Sequence, residues 1–224
     1  VLSAVLLAVA TFGVFLVAPE DAASGVIQRI FYFHVSVALV SMLAFMVACI
    51  AGIVHLRRGG DGSDDVSLAS IAIGLMLAVL TVITGSIWAK AAWGFWWRWD
   101  DLRLVSFLLI ILLYAAYFVL RGSADESRQA RFGAVYSIFA FAAVPLSFYA
   151  VRTARSFIHP VVVTSKGADM PGTMLVWFLI SVVAFTALFV TLLLVEVQQR
   201  RAARALEDVK RRLEARSATP TGGH

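Results

Sequence analysis

A single cysteine in 224 residues excludes an intrachain disulfide and any Cys-x-x-Cys metal or redox motif, and Cys49 lies inside an apolar run as a small core residue. Charge is also scarce. Only 15% of residues are Asp, Glu, Lys or Arg, far below a soluble domain. From Leu68 to Ile87, Val105 to Leu120, Phe132 to Ala150 and Thr173 to Val195 there is no ionisable Asp, Glu, Lys, Arg or His. Proton- and sodium-driven carriers mark their pathways with such groups inside the membrane, so that class is excluded. The chain has no G-x-x-x-x-G-K-[ST] loop, so any use of ATP belongs to a partner.

What is abundant is apolar: 61% of residues are hydrophobic and the mean hydropathy is +0.87. These values define an all-α, polytopic integral membrane protein. Six runs of roughly spanning length are expected, at about 1–18, 30–56, 68–88, 105–120, 132–150 and 173–195, each close to what about 30 Å of hydrocarbon needs. The first, ending at Pro19, lacks the basic region and cleavage site of a signal peptide and is taken as a span. Pro145 is expected to kink the fifth, because it removes a backbone donor and clashes with the preceding turn. The formal charge of +5 sits in the loops and tail, which argues for cytoplasmic faces and against nucleic acid. Twelve Lys and Arg residues fall on the side of Arg57, Arg121 and the tail, and seven on the side of Arg29, Lys90 and Arg152. The positive-inside rule therefore places both termini in the cytoplasm of a bacterial inner-membrane protein. The expected organisation is a membrane domain over 1–198 and a charged tail over 199–224. In the tail Leu206, Val209 and Leu213 share a stripe beside i,i+4 ion pairs. A solvated extension of the last span and a docking helix for a cytoplasmic ATPase subunit both fit it, and its last residues are expected to be disordered.

Five of the six tryptophans fall between Trp88 and Asp100, in the stretch WAKAAWGFWWRWD. A helix over Trp93–Arg103, turning about 100° per residue, would bring Trp93, Trp96, Trp97 and Asp100 onto one face. A short interfacial helix carrying the motif is therefore expected, with Trp99 as an anchor. An aromatic belt at the headgroups is the alternative. His34 and His159 belong to the same side of the membrane as these indoles. Imidazole is a common axial ligand of haem iron, and His159 precedes Pro160, which biases it to an extended loop. Two histidines flanking an aromatic platform suit one iron, with Arg103, Arg152 and Arg155 as candidates to pair with propionates. His55, beside Arg57 and Arg58, and His224, in the Gly-rich end, are expected to be a solvated helix end and an unstructured terminus.

The stretch Trp93-Gly-Phe-Trp-Trp-Arg-Trp-Asp100 resembles the WWD signature of the haem-handling membrane proteins of cytochrome c assembly. Together with Ile30-Phe-Tyr-Phe-His34-Val, Val144-Pro145 and the Arg155–Pro160 segment, it is similar to the haem exporter protein C (CcmC) family over residues up to about 198. It departs from the usual pattern at Ser36, at Thr153-Ala154 and in the placement of Arg103. The resemblance implies haem b bound at the periplasmic face by His34 and His159 and by Trp88, Trp93, Trp96, Trp97, Trp99 and Asp100. It implies presentation of that haem to the chaperone CcmE, beside CcmD and the ABC-type subunits CcmA and CcmB, within membrane lipid. Such a protein is a delivery factor rather than a conventional catalyst, and no catalytic residue is assigned. Two other functions stay open: a b-type electron-transfer protein, disfavoured because His34 and His55 share one helix, and a haem-free scaffold or permease subunit of an ABC transporter.

Overall fold

The computed structural model describes residues 1–20, 25–153, 163–164, 167–168 and 170–218. In chain order the elements are α1 (Leu2–Leu16), a 3-10 turn (Val26–Arg29), α2 (Ile30–Arg58), α3 (Asp61–Trp93), α4 (Leu102–Ser123), α5 (Glu126–Phe141), α6 (Ala143–Thr153), a two-residue antiparallel ladder pairing β1 (Val163–Thr164) with β2 (Gly167–Ala168), and α7 (Gly172–Ala218). Among the described residues five segments are long and apolar enough to cross a bilayer: Val26–Arg58, Asp61–Trp93, Leu102–Ser123, Glu126–Ser147 and Gly172–Ala215. With 15 residues, α1 is a shorter apolar helix.

The centre of the bundle is α2, which contributes to all three buried clusters. Many of its inward residues are small. Ser36, Ser41, Ala44, Ala48 and Gly52 are buried and let neighbouring backbones come close, the usual means of helix association in lipid. Against α3, Ser41 donates to the Gly74 carbonyl at 3.0 Å and Ser67 to the Ala48 carbonyl at 3.1 Å, so these two buried hydroxyls are satisfied across the interface. Phe45 stacks on Tyr114 of α4 at 3.7 Å and 5°. At Ser36 the hydroxyl folds back onto the Tyr32 carbonyl at 2.5 Å, which hides its polarity within α2.

The fifth apolar run is two helices. The break falls at Ala142, three residues before Pro145, as expected of a residue that cannot donate to the carbonyl four positions earlier. Beyond it α6 leans on α4, where Ser147 and Ser106 share a hydrogen bond of 2.9 Å.

The two ends of the bundle differ in chemistry. At one end Asp64 takes a bidentate pair from Arg121 of α4, at 2.8 and 2.6 Å, and Asp65 is clasped by Arg204 of α7. Residues 61–65, which lie between the apolar runs expected at 30–56 and 68–88, are the first turns of α3, where carboxylates suit the positive end of the helix dipole. Only Gly59 and Gly60 turn the chain there, both at positive φ. At the other end the surface is aromatic. Phe31 and Tyr32 of α2, Val14 and Ala18 at the end of α1, and Met174 and Phe178 of α7 form one buried cluster, against which Trp88 of α3 packs.

Candidate functional site

At the aromatic end, the first turns of α2 lie beside the last turns of α3. His34 is one turn into α2, and its Nδ1 lies 3.0 Å from the Thr84 hydroxyl of α3. One turn further along α3 the Trp88 indole meets the imidazole edge-on, with ring centroids 5.8 Å apart and planes at 75°. Between them Gly85 leaves the volume in which the ring sits, because a Cβ there would stand 2.7 Å from the His34 Cε1.

From Trp88 the aromatic rings continue outward. Trp93 lies 6.0 Å from Trp88, Phe95 lies 6.4 Å from Trp93, and the Arg98 guanidinium sits 5.6 Å from the Phe95 centroid. Trp97 and Trp99 form a separate edge-on pair at 5.6 Å. Trp93, Trp96 and Trp99 are 39%, 57% and 74% exposed, three indoles that folding has not covered. The Trp97 indole N–H is shielded from solvent and has no hydrogen-bond partner among the described residues.

The motif is not a helix, which corrects the expectation of an interfacial helix over Trp93–Arg103. α3 stops at Trp93 because Gly94 takes a left-handed conformation at φ 82°, with its N–H bonded to the Lys90 carbonyl. Lys90 reinforces the stop by donating from Nζ to the Gly94 carbonyl at 2.9 Å. Re-entry is set by Asp101, whose carboxylate caps α4 by accepting from the backbone N–H groups of Arg103 and Leu104. Residues 94–101 between these caps are irregular, so Trp93, Trp96, Trp97 and Asp100 do not share a helical face. Trp93 instead groups with Trp88 and His34, and Trp97 with Trp99.

Asp100 is engaged within the loop, in a two-pronged pair with Arg98. That guanidinium holds its carboxyl below the usual carboxylate range, and the carboxylate raises Arg98 in turn. Arg103 is 9% exposed, in the first turn of α4 next to the Asp101 cap. His159 and Arg155 lie outside the described residues, as does the side chain of Arg152. The described residues on either side of that stretch are at the aromatic end: Ser147 of α6 bonds to Ser106 near the start of α4, and Met170 and Met174 pack by Phe31 and Tyr32. Among the described residues no group of three or more His, Cys, Asp or Glu side chains converges as a metal site. Thr84 and Gly85 were not singled out from sequence. Their signal is their spacing from Trp88 on one face of α3, which acquires meaning only once α3 is known to pack against His34.

The bundle and its histidine–tryptophan end define a multi-pass membrane protein with one aromatic, imidazole-bearing surface. The family model for haem exporter protein C (CcmC) matches residues 1–212. The chain is 32% identical to haem exporter protein C of Bradyrhizobium diazoefficiens over 195 residues, covering 85% of this chain and 74% of that protein. It is 30% identical to the protein of that name from Paracoccus denitrificans over 199 residues, 84% and 80% of the two chains. With that of Haemophilus influenzae it shares 28% over 196 residues, 87% and 78%. The chain therefore belongs to the haem exporter protein C family, and with its apolar helices it is a multi-pass protein of the bacterial inner membrane.

Proposed function

We propose that this chain handles haem during cytochrome c maturation, holding haem b at the periplasmic face and presenting it to a CcmE-type chaperone. The observation that carries the proposal is the joining of His34 to the row Trp88, Trp93 and Phe95 at the mouth of a loop whose Trp96 and Trp99 indoles are exposed. An imidazole held within the bundle below an uncovered aromatic surface suits a flat, apolar ligand that carries a metal.

In this proposal haem is cargo. His34 and His159 are its axial ligands, and Trp88, Trp93, Trp96, Trp97 and Trp99 bear on the macrocycle. Arg103, Arg152 and Arg155 attract the propionates, and Asp100 keeps the loop in shape through Arg98. The protein supplies orientation and ligand strength, while the reactive chemistry belongs to haem and its acceptor. The positive excess at the Asp64–Arg121 end makes that end cytoplasmic, with both termini there. CcmA, CcmB and CcmD are the proposed companions, and residues 199–224 are proposed as a cytoplasmic tail following the membrane domain of residues 1–198.

Haemin titrated into the full-length protein in lipid nanodiscs tests this through tryptophan emission. Binding is expected to quench most of the emission, because five of the six indoles lie in the motif. Trp93→Ala/Trp96→Ala should weaken binding at least tenfold. Equal haemin affinity in that variant and the wild type would sink the proposal. Presentation is read separately, as haem covalently transferred to a purified CcmE-type acceptor; wild-type haem binding without such transfer would remove that step.

A further inference from the structure

We propose that Thr84 and Gly85 of α3 are positioning residues that set the tautomer and tilt of the His34 ring, so that Nε2 is the nitrogen offered to iron. This rests on the ligand role proposed for His34 above.

The tautomer follows from counting protons. The Thr84 hydroxyl has one proton, and two backbone carbonyls of its own helix are within its reach: Leu80 at 2.9 Å and Thr81 at 3.1 Å. A carbonyl can only accept. In a membrane helix a threonine hydroxyl habitually turns its proton back onto the preceding turn, where it adds to an existing backbone acceptor. The oxygen then presents a lone pair to the imidazole, and the 3.0 Å contact is assigned as His34 Nδ1–H donating to it. A neutral imidazole protonated at Nδ1 carries its lone pair on Nε2. Metal-ligating histidines are commonly held in this way, with one ring nitrogen donating to an outer-shell acceptor and the other on the metal, which fixes the ring and raises its basicity.

Orientation needs space as well as a hydrogen bond. The missing side chain of Gly85 supplies it: a Cβ there would stand 2.7 Å from Cε1, 3.4 Å from Nδ1 and 3.6 Å from Nε2. The ring therefore turns its Cε1 edge toward the α3 backbone at Gly85, between the Thr84 hydroxyl and the Trp88 indole. A methyl group at 85 would push the ring off both contacts. Thr84, Gly85 and Trp88 thus act as one cradle, built on a single face of α3 by the i,i+4 spacing of Thr84 and Trp88.

The test uses the full-length protein labelled with 15N-histidine, in nanodiscs without haem. The NMR signals of the four histidines distinguish protonated from bare ring nitrogens, and His34→Gln assigns the signal by its loss. Expected are Nδ1–H and bare Nε2 at neutral pH in the wild type, a shift toward the Nε2–H tautomer in Thr84→Val, and restoration in Thr84→Ser. In parallel, haemin affinity should fall about tenfold in Thr84→Val and in Gly85→Ala, the usual size of an outer-shell effect, and Thr84→Ser should bind as the wild type does. An Nε2–H tautomer in the wild type, or one unchanged by Thr84→Val, would overturn the positioning role while leaving the haem function intact. A wild-type protein with the expected tautomer that binds no haemin would overturn the ligand role instead.

Discussion

The cleanest perturbation away from the aromatic end is Arg121→Ala. Arg121 donates to both oxygens of Asp64, at 2.8 and 2.6 Å, and to the Tyr117 hydroxyl at 3.2 Å. The two side chains of the pair are only 11% and 17% exposed. Removing the guanidinium strands the Asp64 carboxylate in a largely dry site, and breaking a buried pair from one side costs about 3–5 kcal/mol. Because the pair lies at helix ends, within reach of headgroup water, the lower figure of about 3 kcal/mol applies. For a chain of this size that lowers the Tm by about 6–12 °C. Asp64→Ala should cost less, about 1–2 kcal/mol, because the long Arg121 side chain can redirect its head to water. The double variant should recover more than half of the Arg121→Ala loss, since it buries no unpaired charge. Thermal unfolding in one detergent, followed by far-UV circular dichroism, gives all four corners of the cycle. A double variant as unstable as Arg121→Ala would refute the reasoning, and so would a coupling below about 0.5 kcal/mol. Haemin affinity per folded molecule should stay unchanged in all four, because this pair sits at the end opposite His34.

Other outcomes are expected at the loop. Gly94→Ala forces a side chain into a left-handed backbone and should cost about 1 kcal/mol of stability together with weaker haemin binding, read by melting and titration. Asp101→Ala removes the α4 cap and should cost about 1 kcal/mol in the same melting assay. Asp100 has a depressed pKa, so its pairing with Arg98 is complete above the ordinary aspartate value and is lost as pH falls through the folded one. Tryptophan emission of the wild type should therefore be level down to about pH 4 and change only below it, whereas Asp100→Asn should show no such acid step.

The apolar runs were legible because burial in lipid leaves no freedom: each run had to be a helix, and Pro145 had to break one. The caps at Gly94 and Asp101 were written in the sequence too, but an indole every few residues imitates a helical face and hid them. What decides the matter is local chemistry, the φ of 82° at Gly94 and the Asp101 carboxylate on two backbone N–H groups. Residues 61–65 are hidden for the converse reason. Three aspartates outside the apolar runs give no local sign of a helix until Arg121 and Arg204, 57 and 139 positions away, supply partners for Asp64 and Asp65. The same limit applies at His34, whose neighbour Thr84 is 50 positions distant. Periodicity carries the helices, but which faces meet depends on packing between α2 and α3 that no local pattern states.

The central claim is that His34 and His159 hold one haem iron beside the tryptophan loop. The absorption spectrum of full-length protein loaded with haemin tests it most directly, comparing the wild type with His34→Ala/His159→Ala at equal folded concentration. A Soret band is expected in the wild type and is lost in the double variant. Retention of that band, with the same position and intensity, would contradict it.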